Sequence, residues 1–153
     1  MAASASLLRD HVLVTIHLLR SSKGKPRGIQ VFPARRGDSV IFARGKGSKP
    51  RPHVPHRVLW FADELRRGER LRIRQKRNLL VWPLPSPSKA GRWKGPFPAT
   101  SWDIDPALGV VSSGEATLPV GWIGPFTWYY SITWRTGGGT EILDPPIIII
   151  PDP

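Results

Sequence analysis

The chain of 153 residues contains no cysteine, and its one methionine is Met1. Without cysteine there is no disulfide, no thiol nucleophile and no thiolate-bound metal. A blue-copper centre needs a cysteine thiolate, two histidines and usually an axial methionine, so the sequence excludes that centre. No Ser-His-Asp pattern, nucleophile elbow or phosphate-binding glycine loop is present either. We therefore expect a protein that is not an enzyme and that carries no cofactor.

Helical periodicity is nearly absent, and no apolar run is long enough to cross a bilayer. The 17 prolines and 15 glycines favour short strands joined by tight turns. The first ten residues lack the basic segment and apolar core of a secretion signal. At this length one domain is the default. We expect a single domain over 1–153, without a membrane span and in the cytoplasm, and its oligomeric state stays open.

Alternation of apolar with other side chains predicts several strands. In the first strand, one face carries Val12, Val14, Ile16 and Leu18. In the strand predicted at 70–75, Leu71 and Ile73 face inward. The residues that face outward are Arg70, Arg72 and Arg74. The clearest strand is 126–134, where one face carries Phe126, Trp128, Tyr130, Ile132 and Trp134.

Turn signals separate further short strands, at Ile29–Phe32, Ser39–Ala43, Arg57–Phe61, Leu79–Trp82, Ser101–Ile104 and a fully buried Ile147–Ile150. Glycines at 137–139 predict a hairpin turn. One helical turn is predicted over Asp63–Glu69, ended by Gly68. A proline-rich loop covers about 83–98, held down by Trp93 and Phe97. These signals together predict an all-β protein, an antiparallel β-sandwich of about 7–8 strands.

Two stretches resemble the cupredoxins, the blue-copper β-sandwich family. Gly37–Phe42 matches the glycine-aspartate turn and strand of that family, and Pro55–Phe61 matches its Pro-His pair, in which His56 stands at the first copper ligand. Gly124–Ser131 matches a later segment loosely, without the cysteine that follows in the family. The resemblance implies a cupredoxin-like frame that lacks its copper chemistry. An immunoglobulin-like sandwich is the competing interpretation.

The metal-binding candidates are weak. His53 and His56 form an H-x-x-H pair that could bind copper or zinc with an acid from elsewhere, or could be solvated imidazoles on a basic loop. Asp103 and Asp105 share a strand face, but the Asp105–Pro106 pair is more typical of a turn.

Positive charge is the strongest functional signal. The net charge is +12: residues 1–99 hold 22 of the 23 lysines and arginines with 5 of the 11 acids, a net of +17, whereas 100–153 carry a net of −5. One cluster comprises Arg66, Arg67, Arg70, Arg72, Arg74, Lys76 and Arg77. A second group, on loops, comprises Arg44, Lys46, Lys49 and Arg51.

Segregated charge of this kind predicts an anionic partner. Two interpretations stand beside it: a solvated face, and an arginine and proline content set by genomic base composition. We expect a non-catalytic binding or assembly module whose basic face docks an acidic protein. The alternative is a nucleic-acid-binding protein that acts through phosphate contacts, with Trp60, Trp82 and Trp93 either stacking on bases or lying in the core.

Overall fold

The computed structural model describes residues 10–32, 40–45, 54–75, 95–118, 126–136, 140–143 and 146–151. From His11 onward, every regular element in these ranges is a strand: β1 His11–Arg20, β2 Pro26–Phe32, β3 Val40–Gly45, β4 Arg57–Phe61, β5 Arg70–Gln75, β6 Ser101–Ile104, β7 Val110–Ser112, β8 Thr117–Leu118, β9 Phe126–Arg135, β10 Thr140–Leu143 and β11 Pro146–Pro151. The predicted all-β class is confirmed. The strands outnumber the predicted 7–8 because pieces as short as β7 and β8 leave no clear alternation in the sequence.

The strands form two sheets that pack face to face. The smaller sheet has the order β2-β1-β4-β7, and the larger has the order β6-β5-β9-β11-β3-β8, with β10 also paired to β9. Three of the pairs are parallel, namely β1 with β4, β11 with β3 and β3 with β8. The sheets are therefore mixed and not purely antiparallel as predicted. Residue alternation has the same period in both kinds of pairing, so it cannot distinguish them.

The strands β9 and β10 pair as the two arms of the predicted hairpin, whose turn at 137–139 lies outside the described residues, and β11 pairs with β9 further along. Thr140 pairs with Arg135 and Leu143 with Ile132. Beyond 144–145 the pairing resumes in unchanged register, with Pro146 opposite Tyr129. The described parts of β10 and β11 therefore pair with β9 in one common register.

One hydrophobic core lies between the sheets, and the predicted inward faces build it. Alternate residues of β1, β5 and β9 are buried, including Leu71, Ile73, Trp128, Tyr130, Ile132 and Trp134. Phe97 holds the end of the proline-rich loop as predicted, because its ring lies 4.9 Å from that of Trp128. Trp60 is fully buried and packs 4.8 Å from Trp102, so it belongs to the core and cannot stack on a base.

Two local predictions are wrong. Asp63–Glu69 contains no helical turn: the Glu69 N–H donates to the Arg66 carbonyl at 3.0 Å, and Gly68 takes a φ of 82°. The Glu69 carboxylate in turn accepts the Arg66 N–H, which fixes a tight turn instead. The strand Ile147–Ile150 is not fully buried. Ile147 and Ile149 face the core, whereas Ile148 and Ile150 are only half-buried, because one face of the larger sheet is an outer surface.

Several predictions fall outside the described residues. These are the strand at Leu79–Trp82, positions 83–94 of the proline-rich loop, and the residues Trp93, His53, Lys46, Lys49, Arg51, Lys76 and Arg77.

Candidate functional site

Strand β5 carries the arginines outward, as its alternation predicts. Leu71 and Ile73 are buried, Arg70 and Arg74 are exposed, and Arg72 is half-buried. Because β5 lies between β6 and β9, side chains of those two strands border the arginines on the outer surface.

Arg72 does not offer a free charge, because Asp103 on β6 binds it. The Arg72 Nε donates to Asp103 Oδ1 at 2.9 Å, and Nη2 donates to Oδ2 at 3.2 Å. This two-point hydrogen bond is the main reason that the pKa of Asp103 is lowered and the pKa of Arg72 is raised. The Arg72–Asp103 pair therefore adds no net charge to the surface.

Arg135, which sequence reasoning missed, lies directly opposite Arg70 in the β5–β9 ladder. Its side chain is exposed at the end of β9. Like charges at opposed positions of a ladder repel each other and destabilise the pair. Arg70 makes a long ion pair with Asp103, whose Oδ2 is 4.0 Å from Arg70 Nη1 and is already bound by Arg72. The strand alternation of 126–134, extended by one residue, places Arg135 outward. Only the long-range pairing places it beside Arg70.

The two arginines of the turn before β5 point to different parts of the molecule. Arg66 extends to the β1–β2 turn, where a Cβ on Gly24 would lie 2.9 Å from its Nη1. Arg67 instead lines a shallow cleft of about 530 Å³ together with Arg70, Asp103 and Asp105. Arg67 thus belongs with the β5 arginines and Arg66 does not. We name the arginine face as the exposed residues Arg67, Arg70, Arg74 and Arg135 around the Arg72–Asp103 pair.

The second predicted group is not brought to this face. Arg44 lies on β3, which β9 and β11 separate from β5 in the larger sheet. Its Nε is 3.0 Å from Glu115 Oε1, and its Nη2 donates to Oε2 at 3.1 Å. This ion pair compensates the Arg44 charge. The other three residues of that group are outside the described ranges.

The histidine and aspartate candidates have structural partners. His56 is buried and its Nδ1 donates to the Phe42 carbonyl at 2.7 Å. Asp105 accepts hydrogen bonds from the N–H groups of Ala107 and Leu108, which confirms the predicted turn. Within the described residues, no three side chains of the His, Cys, Asp or Glu type are grouped so that they could hold a metal ion.

In the same part of the chain, no helix has the length and apolar character needed to cross a membrane. The chain matches no protein-family model, and neither a curated protein nor a solved structure matches it.

Proposed function

We propose that this protein is a non-catalytic binding or assembly module whose arginine face docks an acidic protein. The observation that carries the proposal is the placement of Arg70 opposite Arg135. Like charges at opposed positions of a ladder destabilise the pairing in the free protein. A carboxylate placed between them would remove the repulsion and could accept hydrogen bonds from both, which makes the site ready for an anionic group.

Asp103 favours separate carboxylates over a continuous chain of phosphates. At about 3.3 Å per residue, Arg70 and Arg74 stand about 13 Å apart along β5. Asp103 lies beside the strand between them and is 44% exposed. Each strand of double-stranded DNA carries a phosphate charge about every 3.4 Å of helix axis, so a duplex laid along β5 would bring phosphates close to this carboxylate. Individual Asp and Glu side chains of a protein partner can instead contact the arginines and avoid Asp103.

Nucleic-acid binding through phosphates is the second candidate, and Tyr129 favours it. The ring is half-buried on the outward side of β9, two residues from Ser131, which pairs with Arg74. An aromatic ring beside exposed arginines is the usual platform for stacking a single-stranded base. This candidate requires the sugar-phosphate backbone of the nucleic acid to run on the β9 side of β5, where Tyr129 lies, and away from Asp103 on β6.

The proposal also covers the domain organisation, the type of β-sandwich and the cellular location. We propose that residues 1–153 form one domain with a cupredoxin-like frame and no blue-copper centre, and that the protein acts in the cytoplasm. The pattern at Gly37–Phe42 and Pro55–Phe61 supports the frame, and the complete lack of cysteine supports the absence of the copper chemistry.

Binding of two fluorescent probes to the full chain tests the proposal, one being polyglutamate and the other single-stranded DNA. The variant R70Q/R74Q/R135Q removes three charges from the arginine face. The control K23Q/K25Q/R27Q removes the same charge from exposed positions of the smaller sheet. We expect wild type and control to bind polyglutamate more tightly than DNA, with affinity falling as salt rises, and the first variant to lose binding.

Tighter binding of DNA would favour the second candidate. Equal losses in the two triple variants would show that net charge acts without a defined site and would contradict the proposal. Undetectable binding of both probes to the wild type would contradict both candidates.

A further inference from the structure

The outer surface of the smaller sheet is apolar at its centre. Thr15 on β1 lies opposite Phe32 of β2 on one side and opposite Phe61 of β4 on the other. Phe61 is in turn paired with Val110 of β7, and one step along the strands Leu13 is paired with Leu59. We name this surface the apolar face, made of Leu13, Thr15, Phe32, Leu59, Phe61 and Val110.

Three large side chains of the apolar face are exposed to solvent. The exposed fraction is 54% for Phe32, 42% for Leu13 and 36% for Phe61. The outer side of a sandwich sheet ordinarily alternates to polar residues, and neighbouring exposed apolar side chains mark interaction surfaces. The outer side of β1 departs from that pattern, since Leu13 and Leu19 stand where polar residues are expected.

Charge distinguishes this face from the rest of the molecule. None of its six residues is ionisable, although the chain has a net charge of +12. Among the described residues, polar groups stand at the borders of this face: His17 lies within hydrogen-bond distance of Glu64 at 3.1 Å, and Arg57 is two residues before Leu59 at the start of β4. Two copies of so basic a protein repel each other in most orientations. Contact through the uncharged apolar face brings the fewest like charges together.

We infer that the apolar face is the contact between two copies of this chain, related by a two-fold axis near Thr15. A two-fold contact applies the same surface to itself, so that surface must present both projections and hollows. The short Thr15 side chain between the rings of Phe32 and Phe61 provides a hollow flanked by two projections. Rotation about an axis beside Thr15 places a phenyl ring of one copy over the hollow of the other.

The dimer is small in contact area and therefore weak. Six side chains cover less than the roughly 800 Å² per partner of a standard stable interface. We expect a reversible equilibrium that depends on protein concentration. In such a dimer the two larger sheets lie on the outside, because each is on the far side of its own core, so both arginine faces remain accessible. The dimer itself does not depend on the function proposed for the arginine face.

Sedimentation velocity of the full chain over a concentration series tests the inference. We expect a monomer–dimer equilibrium that shifts toward dimer as salt rises, because salt screens the net repulsion and leaves apolar burial intact. The variant T15R places a charge at the axis and should be monomeric. The control T100R adds the same charge at an exposed position next to β6 in the larger sheet and should dimerise like the wild type.

Mixing two variants tests the two-fold axis itself. T15R and T15E should each be monomeric alone and should form a heterodimer when mixed, since only an axis near Thr15 brings the two side chains together. The variant T15V keeps a β-branched side chain in the strand and adds apolar surface, so it should tighten the dimer. It provides the test of the contact if the charged variants do not fold.

A wild type that stays monomeric at every concentration and salt would overturn the inference, as would a dimer that T15R and T15V leave unchanged. Growth into open-ended oligomers would overturn the two-fold contact.

Discussion

Arg20 and Glu69 connect the two sheets through a largely buried ion pair. Arg20 ends β1 in the smaller sheet and Glu69 immediately precedes β5 in the larger one, and Arg20 Nη1 donates to Glu69 Oε2 at 2.7 Å. The side chains are 12% and 10% exposed. The guanidinium also lies 4.7 Å from the centre of the Trp134 ring. The hydrogen bond between Arg20 and Glu69 is the largest cause of the raised pKa of Arg20 and of the lowered pKa of Glu69.

Replacing Glu69 by glutamine should destabilise the fold substantially. The variant leaves the Arg20 charge in a mostly buried position without its counter-ion, a change that costs about 3 kcal/mol. The control Glu64→Gln alters a contact with His17 in which both side chains are at least 40% exposed, and should cost less than about 1 kcal/mol. Urea denaturation near neutral pH measures both values. Equal values for the two variants would show that the Arg20–Glu69 pair adds no more than a surface pair.

Acidification should reveal the same pair. Since the pKa of Glu69 is lower in the folded state, the unfolded chain binds more protons on acidification. The contribution of Glu69 is therefore complete above the unfolded pKa of about 4.3 and is lost as the pH falls through the folded pKa. Asp103, with its lowered pKa, acts in the same direction. Urea midpoints are measured from about pH 6 downward, through the range in which carboxylates titrate. They should fall less steeply with pH in Glu69→Gln than in the wild type. Parallel curves would contradict the assignment.

Removing the Trp128 side chain should strongly destabilise the fold. This side chain is fully buried and packs against Phe97 and Tyr130, so Trp128→Ala should cost about 3–5 kcal/mol. Phe32→Ala is the matched control, since this ring is more than half exposed, and it should cost less than about 1 kcal/mol. The comparison uses the free energy of unfolding from chemical denaturation. The reverse order would mean that the register of β9 is wrong.

The sequence predicts which side chains of a strand face the core, and it predicts little about neighbours across strands. Alternation alone places Arg70 outward and Leu71 inward. Nothing local indicates that Arg135, 65 positions away, stands opposite Arg70, because the ladder depends on the whole sheet. Likewise Arg66 and Arg67 are adjacent in the chain, yet a turn directs one to Gly24 and the other to the cleft. The candidate site was thus predicted as a charge pattern, and its membership required the tertiary structure.

The turn before β5 should favour glycine at position 68, and asparagine over alanine as its replacement. Gly68 has a φ of 82°, and a Cβ there would meet nothing within 4 Å, so the penalty for alanine is backbone strain alone. Gly68→Ala should cost about 1–2 kcal/mol, and Gly68→Asn should cost less, because asparagine adopts this conformation more readily. Gly28→Ala is the control: its Cβ would make an ordinary 3.7 Å contact with Leu19 Cδ1. Thermal unfolding that shows equal losses at both positions would contradict this account.

Arg135→Glu should separate stability from binding. In the free protein the new carboxylate faces Arg70 across the β5–β9 ladder, so repulsion becomes attraction and the fold should gain about 0.2–1 kcal/mol. The same change occupies Arg70 and should weaken binding of polyglutamate, because the docking site then carries its own acid. Lys25→Glu makes an identical charge change in an exposed turn of the smaller sheet and should give a smaller loss of binding and no gain in stability. Denaturation and probe binding are measured on the same preparations. If Arg135→Glu binds polyglutamate as tightly as Lys25→Glu does, Arg135 is no part of the docking surface. If Arg135→Glu also fails to stabilise the fold, Arg70 and Arg135 do not repel each other measurably in the free protein.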